Sequence, residues 1–260
     1  SELMKPCRQF FNITSERGAQ MQYLGGKSRL AKGIAGAILA DTSNRTHYLE
    51  PFIGGGSIFA EMSQHFEHVT GADGQEDLAL LWRGLISGTF TPPEYLTVEE
   101  WKVLRDSEPS ALRGFAGYGC SFGGRFFEGY ARNKTGTNYA AQTARSLERD
   151  LKKIPRDRTA VYDSDYRDHH PQPGDVVYCD PPYAGTKHYA SKRSGLDRFD
   201  HEEFWGIMES WVEAGARVYV SEFTAPDKWE VIWEKSRSTG LGEQSGAKYQ
   251  TNVDRLYTLR

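Results

Sequence analysis

The chain has 260 residues, a net charge of −3, a mean hydropathy of −0.63 and frequent aromatics. That length holds one large domain, or a domain with a sizeable insertion, and the composition excludes a disordered chain. No apolar run approaches the ~20 residues a bilayer crossing needs, no secretory leader is expected, and Cys7, Cys120 and Cys179 are too scattered for a disulfide framework or a zinc knot. A cytoplasmic, reducing setting is therefore expected, without membrane or metal. The small negative charge also argues against a general polyanion binder, so any nucleic-acid surface must be local.

Residues 1–20 show no periodicity and read as an arm. Tyr23-Leu24-Gly25-Gly26-Lys27-Ser28 then precedes Leu30, Ile34, Ala37 and Ile38 at helical spacing. Gly25 and Gly26 would open the helix with bare backbone N–H groups beside Lys27, suited to a carboxylate or phosphate. A phosphate-binding P-loop fails on spacing, because position 21 is Met21. A plain capped helix is the alternative.

His47–Glu50 reads as a strand running into Pro51-Phe52-Ile53-Gly54-Gly55-Gly56-Ser57 and a helix from Ile58 through Phe66. Strand, glycine turn and helix form the layout of a nucleotide-binding crossover, although Phe59 breaks the dinucleotide fingerprint. A second strand, Val69–Ala72, ends at Asp73, where an acid can grip ribose hydroxyls or cap the helix Asp77–Leu85.

From Pro92-Pro93 the strand–helix alternation stops. Thr97 and Glu100 form a capping box for a helix to Asp106, and Tyr139–Ile154 is helical again. Between them Gly114–Gly136 is rich in glycine and aromatics. Residues 113–158 carry ten basic side chains against four acids, which suits a nucleic-acid surface inside an acidic chain. A solvated helix face over an aromatic mini-core is the plainer alternative.

Strands resume at Ala160–Tyr162, before Asp165-Tyr166, and at Val176. The run Val176-Val177-Tyr178-Cys179 has the pattern of a buried parallel strand, followed by Asp180-Pro181-Pro182-Tyr183. Neither proline can donate to a ladder, and each restricts the residue before it, so pairing stops at Asp180 in a stiff turn. In an open α/β sheet this carboxyl end is where ligands bind. The Asp180 carboxylate and the Pro181 carbonyl can accept hydrogen bonds from an exocyclic amine, while the Tyr183 ring stacks on a flat base. Residues 184–198 look like a basic flap with Lys187, Lys192 and Arg193. A helix begins at Asp200 and stops at Gly215, and strands at Arg217–Val220, Val231–Trp233 and Arg255–Leu259 finish the chain. His65, His68, His169, His170 and His201 lack metal-ligand spacing and read as surface residues.

Tyr23-x-Gly-Gly-Lys27, Glu50-Pro-Phe-x-Gly-Gly-Gly-Ser57, Asp73 and Asp180-Pro-Pro-Tyr183 together resemble the Dam-like (D12, α-group) S-adenosylmethionine-dependent DNA adenine-N6 methyltransferases. The resemblance covers residues 23–260, with cofactor motifs first, a target-recognition insert next and the catalytic turn last. It implies a Rossmann-like α/β fold with a mixed, mainly parallel sheet. The catalytic domain would be 21–91 and 159–260, with a largely helical target-recognition insert at 92–158. Cofactor contacts are implied for Tyr23, Gly25, Gly26, Lys27, Glu50, Pro51, Phe52, Gly54, Gly56, Ser57, Asp73, Asp165, Tyr166 and Asp180. Asp180, Pro181, Pro182 and Tyr183 would act on the target amine. Double-stranded DNA would meet Arg125, Arg132, Lys134, Lys152, Lys153, Lys187, Lys192 and Arg193, with Arg125 on a base and Lys152 and Lys153 on phosphate. The stretch Gly119–Phe127 is similar to phage-borne members. A monomer is expected, with a dimer on DNA as the alternative. Cytosine-N4 and RNA adenine-N6 transfer are the nearest enzymatic alternatives, and a catalytically silent DNA-binding module is the non-enzymatic one.

Overall fold

The computed structural model describes residues 27–183, 199–237 and 252–260. Its centre is a seven-stranded sheet built from β1 (His47–Glu50), β2 (His68–Asp73), β3 (Thr159–Asp163), β4 (Val176–Cys179), β5 (Arg217–Glu222), β6 (Glu230–Arg237) and β7 (Asn252–Thr258). The spatial order is β3-β2-β1-β4-β5-β7-β6. The first five strands in that order are mutually parallel, and β7 runs antiparallel between β5 and β6. The sheet is thus mixed and mainly parallel. Growth from β1 goes to β2 and β3 on one side, while β4 and β5 extend it on the other. Tyr48 and Leu49 pair with Val176 and Val177 across the reversal. A crevice opens at the carboxyl ends of strands where such a reversal occurs.

Both faces of the sheet are covered, which is why β4 reads as a continuous apolar run. Tyr48, Val176, Tyr178 and Tyr219 point to one face, packed by α1 (Ala31–Asp41), α2 (Ser57–Ser63) and α3 (Glu76–Ser87). Leu49, Val177, Cys179, Val218 and Val220 point to the other. There α7 (His201–Glu213) buries Phe204, Met208 and Trp211, starting from an Asp200 side chain that accepts the Glu203 N–H. Gly215, at φ +97°, ends the turn after α7, a conformation that glycine adopts without a Cβ penalty.

The chain between α3 and β3 forms α4 (Val98–Arg105), α5 (Ala111–Gly114) and α6 (Tyr139–Leu151). The Thr97–Glu100 capping box is present in both directions. A π-helical turn, Phe115–Gly119, continues α5, and a Ser121–Tyr130 bridge closes the following turn. Trp101, Phe115, Ala144 and Leu147 from this segment lie in the same core as Ile34, Phe59 and Trp82. Of the aromatics in Gly114–Gly136, Phe127 and Tyr130 pack against that core, Tyr118 and Phe126 pack on each other, and Phe122 is exposed. Two helices are shorter than the periodicity predicts: α2 stops at Ser63 and α6 at Leu151.

Met208 is fully buried, with its sulfur 3.5 Å from the Cys179 Sγ on β4. Met208→Ala should cost about 2–5 kcal/mol in urea unfolding, the range for a buried methionine leaving a cavity.

Candidate active site

The carboxyl ends of β1, β2, β3 and β4 bring the predicted site residues together. Asp180 follows the last residue of β4, and the Lys27 ammonium lies 2.9 Å from its Oδ1. Lys27 is buried, with a side chain only 4% exposed. A desolvated ammonium needs an opposite charge to be tolerated, and Asp180 provides it. The same ammonium sits 4.3 Å above the centre of the Tyr183 ring, a cation–π contact that adds to the pairing. Tyr183 meets Phe223 edge-to-face, with ring centres 4.5 Å apart at 87°. Phe223, which follows β5, is held through its carbonyl by the Arg255 guanidinium at 2.8 Å and the Tyr257 hydroxyl at 3.0 Å. No sequence motif singles out Phe223, because its role depends on β5 lying beside β4.

The glycine turn after β1 is tied to β2. The Gly54 N–H donates to Asp73 Oδ2 at 2.9 Å, and the Gln75 N–H donates to Oδ1 at 2.8 Å. Asp73 thus braces the turn and also the entry to α3. Burial pushes its carboxyl up to about 6, outweighing the two amides that favour the charged form. Trp82, from the inner face of α3, donates its indole N–H to the Gly54 carbonyl at 3.0 Å. Gly56 has φ +72°, and a Cβ there would fall 2.0 Å from the Trp82 ring, so only glycine fits. Glu50 is buried and accepts the Tyr48 hydroxyl at 2.6 Å, while burial holds its carboxyl well above the usual range.

An aromatic wall stands at the ends of β1 and β3. Phe52 lies 5.3 Å from Tyr166, and Phe199 lies 6.2 Å from Phe52 and 5.7 Å from Tyr166. Beside it, Asp165 is paired with Arg167 at 2.7 Å, and Arg167 also reaches Glu203. Pro51 is buried and Ser57 opens α2. Tyr23, Gly25 and Gly26, and the flap with Lys187, Lys192 and Arg193, lie outside the described residues.

The basic segment divides into two sets. Arg113 is paired with Asp77 and Lys153 with Glu61, so these two cations serve the fold, whereas Arg149 is exposed and pairs with its neighbour Asp150. Lys153 would have to leave Glu61 to meet a phosphate. Arg125, Arg132, Lys134 and Lys152 are exposed, Arg125 with a loose contact to Glu128 at 3.4 Å and Arg132 over the Tyr130 ring at 5.6 Å. His47, which the sequence does not mark, bridges Thr70 at 2.9 Å and Asp175 at 3.0 Å at the opposite end of the sheet. Among the described residues no group of three His, Cys, Asp or Glu side chains could hold a metal ion, and no helix is long and apolar enough to cross a membrane.

No curated protein matches this chain. Solved structures similar to it include the 23S rRNA methyltransferase ErmE, at 13% identity over 87% of this chain and 67% of that one, with a TM-score of 0.40. A precorrin-6y C5,15-methyltransferase from Geobacter metallireducens gives 8% identity over 94% of both chains and a TM-score of 0.40. Magnesium protoporphyrin IX methyltransferase from Synechocystis, solved with bound S-adenosylmethionine, gives 10%, 91% and 81%, and 0.36. The family described as D12 class N6 adenine-specific DNA methyltransferase matches residues 23–105 and 121–228, most of the chain. Those spans contain Lys27, the glycine turn, Asp73 and Asp180–Tyr183. The methyl donor of such enzymes, S-adenosylmethionine, suits the residues present: a backbone cradle without side chains, an acid at the end of β2 and an aromatic wall for a purine. On the family match, the chain belongs to the D12 class of N6 adenine-specific DNA methyltransferases.

Proposed function

We propose that this methyltransferase acts on the N6 amine of an adenine turned out of double-stranded DNA. The observation that carries this reading is the grouping of Asp180, Tyr183 and Lys27 where β4 leaves the sheet, one strand from the glycine turn after β1. S-adenosylmethionine, when bound, supplies an electrophilic methyl group on a sulfonium. Asp73 would accept its ribose hydroxyls, Phe52 and Tyr166 would pack against its adenine, and Lys27 would offer its ammonium to the cofactor's carboxylate.

The target amine is a poor nucleophile, because its lone pair is delocalised into the ring. Asp180 accepts one of its N–H groups and the Pro181 carbonyl the other. That pair of acceptors favours a pyramidal nitrogen with its lone pair aimed at the methyl. Alignment of two reactants in this way supplies much of the gain. Asp180 is also the nearest base for the proton the nitrogen sheds. Tyr183 gives its face to the target base, and Phe223 keeps that ring upright. Lys27 now fills both places, at Asp180 and over Tyr183, so the incoming base displaces or shares that ammonium. A base stacked in a duplex cannot reach this turn, which requires flipping. The segment 92–158 holds the duplex, through Arg125 on a base edge and Arg132, Lys134 and Lys152 on phosphates.

Asp180→Ala should lose at least about a hundredfold in turnover with DNA in excess, the range that a lost alignment contact reaches. The variant should still show a folded circular dichroism spectrum, but with a lower Tm, because buried Lys27 loses its counterion. Activity near that of the parent protein overturns the assignment.

A second expectation concerns pH. The ionised Asp73 is the acceptor for a hydroxyl, and its carboxyl titrates at about 6. Acidification removes that acceptor, so S-adenosylmethionine affinity should be flat above neutrality and fall by up to about tenfold per pH unit below 6. Calorimetric titration of Asp73→Asn should show weaker binding without that pH step. A parent protein with constant affinity from pH 7.5 to about 5 contradicts this role.

A further inference from the structure

Arg113 lies between the two matched spans of the family, in residues 106–120, and its guanidinium meets an acid, two carbonyls and two rings. Its side chain is 14% exposed and its Nη1 pairs with Oδ2 of Asp77, on the first turn of α3. Asp77 Oδ1 accepts the Ser110 N–H at 3.0 Å. The remaining donors of Arg113 reach the carbonyls of Leu104, at 3.1 Å, and Arg105, at 3.3 Å, closing the end of α4. The guanidinium plane also lies 5.0 Å from the Phe126 ring and 5.5 Å from the Phe127 ring. These two residues directly follow Arg125. Phe127 holds φ +54°, a strained position for a side chain of this size. Gly117 of the π-helical turn leaves room for both rings, because a Cβ there would come 2.3 Å from Phe126.

We propose that Arg113 is a positioning residue for the turn 121–130, fixing where Arg125 points by anchoring Phe126 and Phe127 to α3. The link to DNA rests on the function proposed above; the positioning itself does not. A lysine could keep the charge toward Asp77, but it has neither the fork that reaches three acceptors nor the plane that carries two rings. A residue acting only in the fold would lower stability without separating binding from turnover.

The test is Arg113→Lys in the full chain, compared with the parent protein by three measurements. Hydrogen exchange is followed at Phe122, Phe127 and Ala131, whose N–H groups bond to Gly129, Gly117 and Cys120. S-adenosylmethionine affinity is measured by calorimetry. KM and kcat are measured with genomic DNA from a strain lacking adenine methylation. Exchange at the three amides should quicken by about tenfold, and KM for DNA should rise by a similar factor with kcat within about twofold, the size of a lost desolvated cation–π pair. Cofactor affinity should not change. Asp77→Asn, which weakens the anchor from the other side, carries the same expectation if Arg113→Lys does not fold. Unchanged exchange at the three amides in a folded variant overturns the proposal. Faster exchange with unchanged KM upholds Arg113 as the anchor and removes the turn from DNA reading. A parent protein inactive on DNA defeats the proposed function, while the exchange result still decides the role of Arg113.

Discussion

β1 and β4 lie side by side although α2, α3 and the whole segment from α4 to α6 separate them in sequence. That adjacency sets Asp180 beside the glycine turn, and the two prolines keep it there by ending the ladder. The carboxylate then faces a buried ammonium. Removing either partner would leave a desolvated charge without its counterion, a far larger cost than the net worth of the pair. The Lys27–Asp180 pair therefore pins the start of α1 to the end of β4, and Tyr183 joins it through its ring. The Asp180 turn is thus placed by a constraint of the sheet and held by one ion pair.

α3 links the cofactor side to the rest of the molecule. Its first turn carries Asp77, which grips Arg113, and its inner face carries Trp82, which holds Gly54 and fills the space beside Gly56. Asp73 braces the same glycine turn from just upstream. Since the segment 92–158 shares a core with α1, α2 and α3, it is packed onto the helices that cover the sheet rather than tethered by a linker. Gly114 shows how close that seating is, since a Cβ there would come 2.3 Å from the Asp77 carbonyl.

Much of this was legible in the sequence, for identifiable reasons. Strands buried on both faces leave unbroken apolar runs, so β4 and β5 stand out, and helix starts at Thr97 and Asp200 carry their own capping chemistry. The Asp180 turn announces itself because two prolines after a buried strand dictate geometry locally. What needed the fold was every contact between distant segments. The antiparallel β7 between β5 and β6 has no local signature, nor does the packing of Phe223 on Tyr183 or of Trp82 on the glycine turn. Charge counting also misled in one respect. Arg113, Arg149 and Lys153 enlarge the basic excess of 113–158, yet each is tied to an acid, Asp77, Asp150 and Glu61. Pairing partners for the first and last of these come from α3 and α2, which a count within the segment cannot see.

In the function proposed above, the Asp180 turn presents its acceptors to the amine of an adenine in duplex DNA. The most direct measurement is the position of the transferred group. The protein is incubated with methyl-labelled S-adenosylmethionine and unmethylated duplex DNA, and the DNA is digested to nucleosides and resolved by mass spectrometry. The account predicts label in N6-methyldeoxyadenosine alone. Label in N4-methyldeoxycytidine, or transfer to RNA and none to duplex DNA, contradicts it.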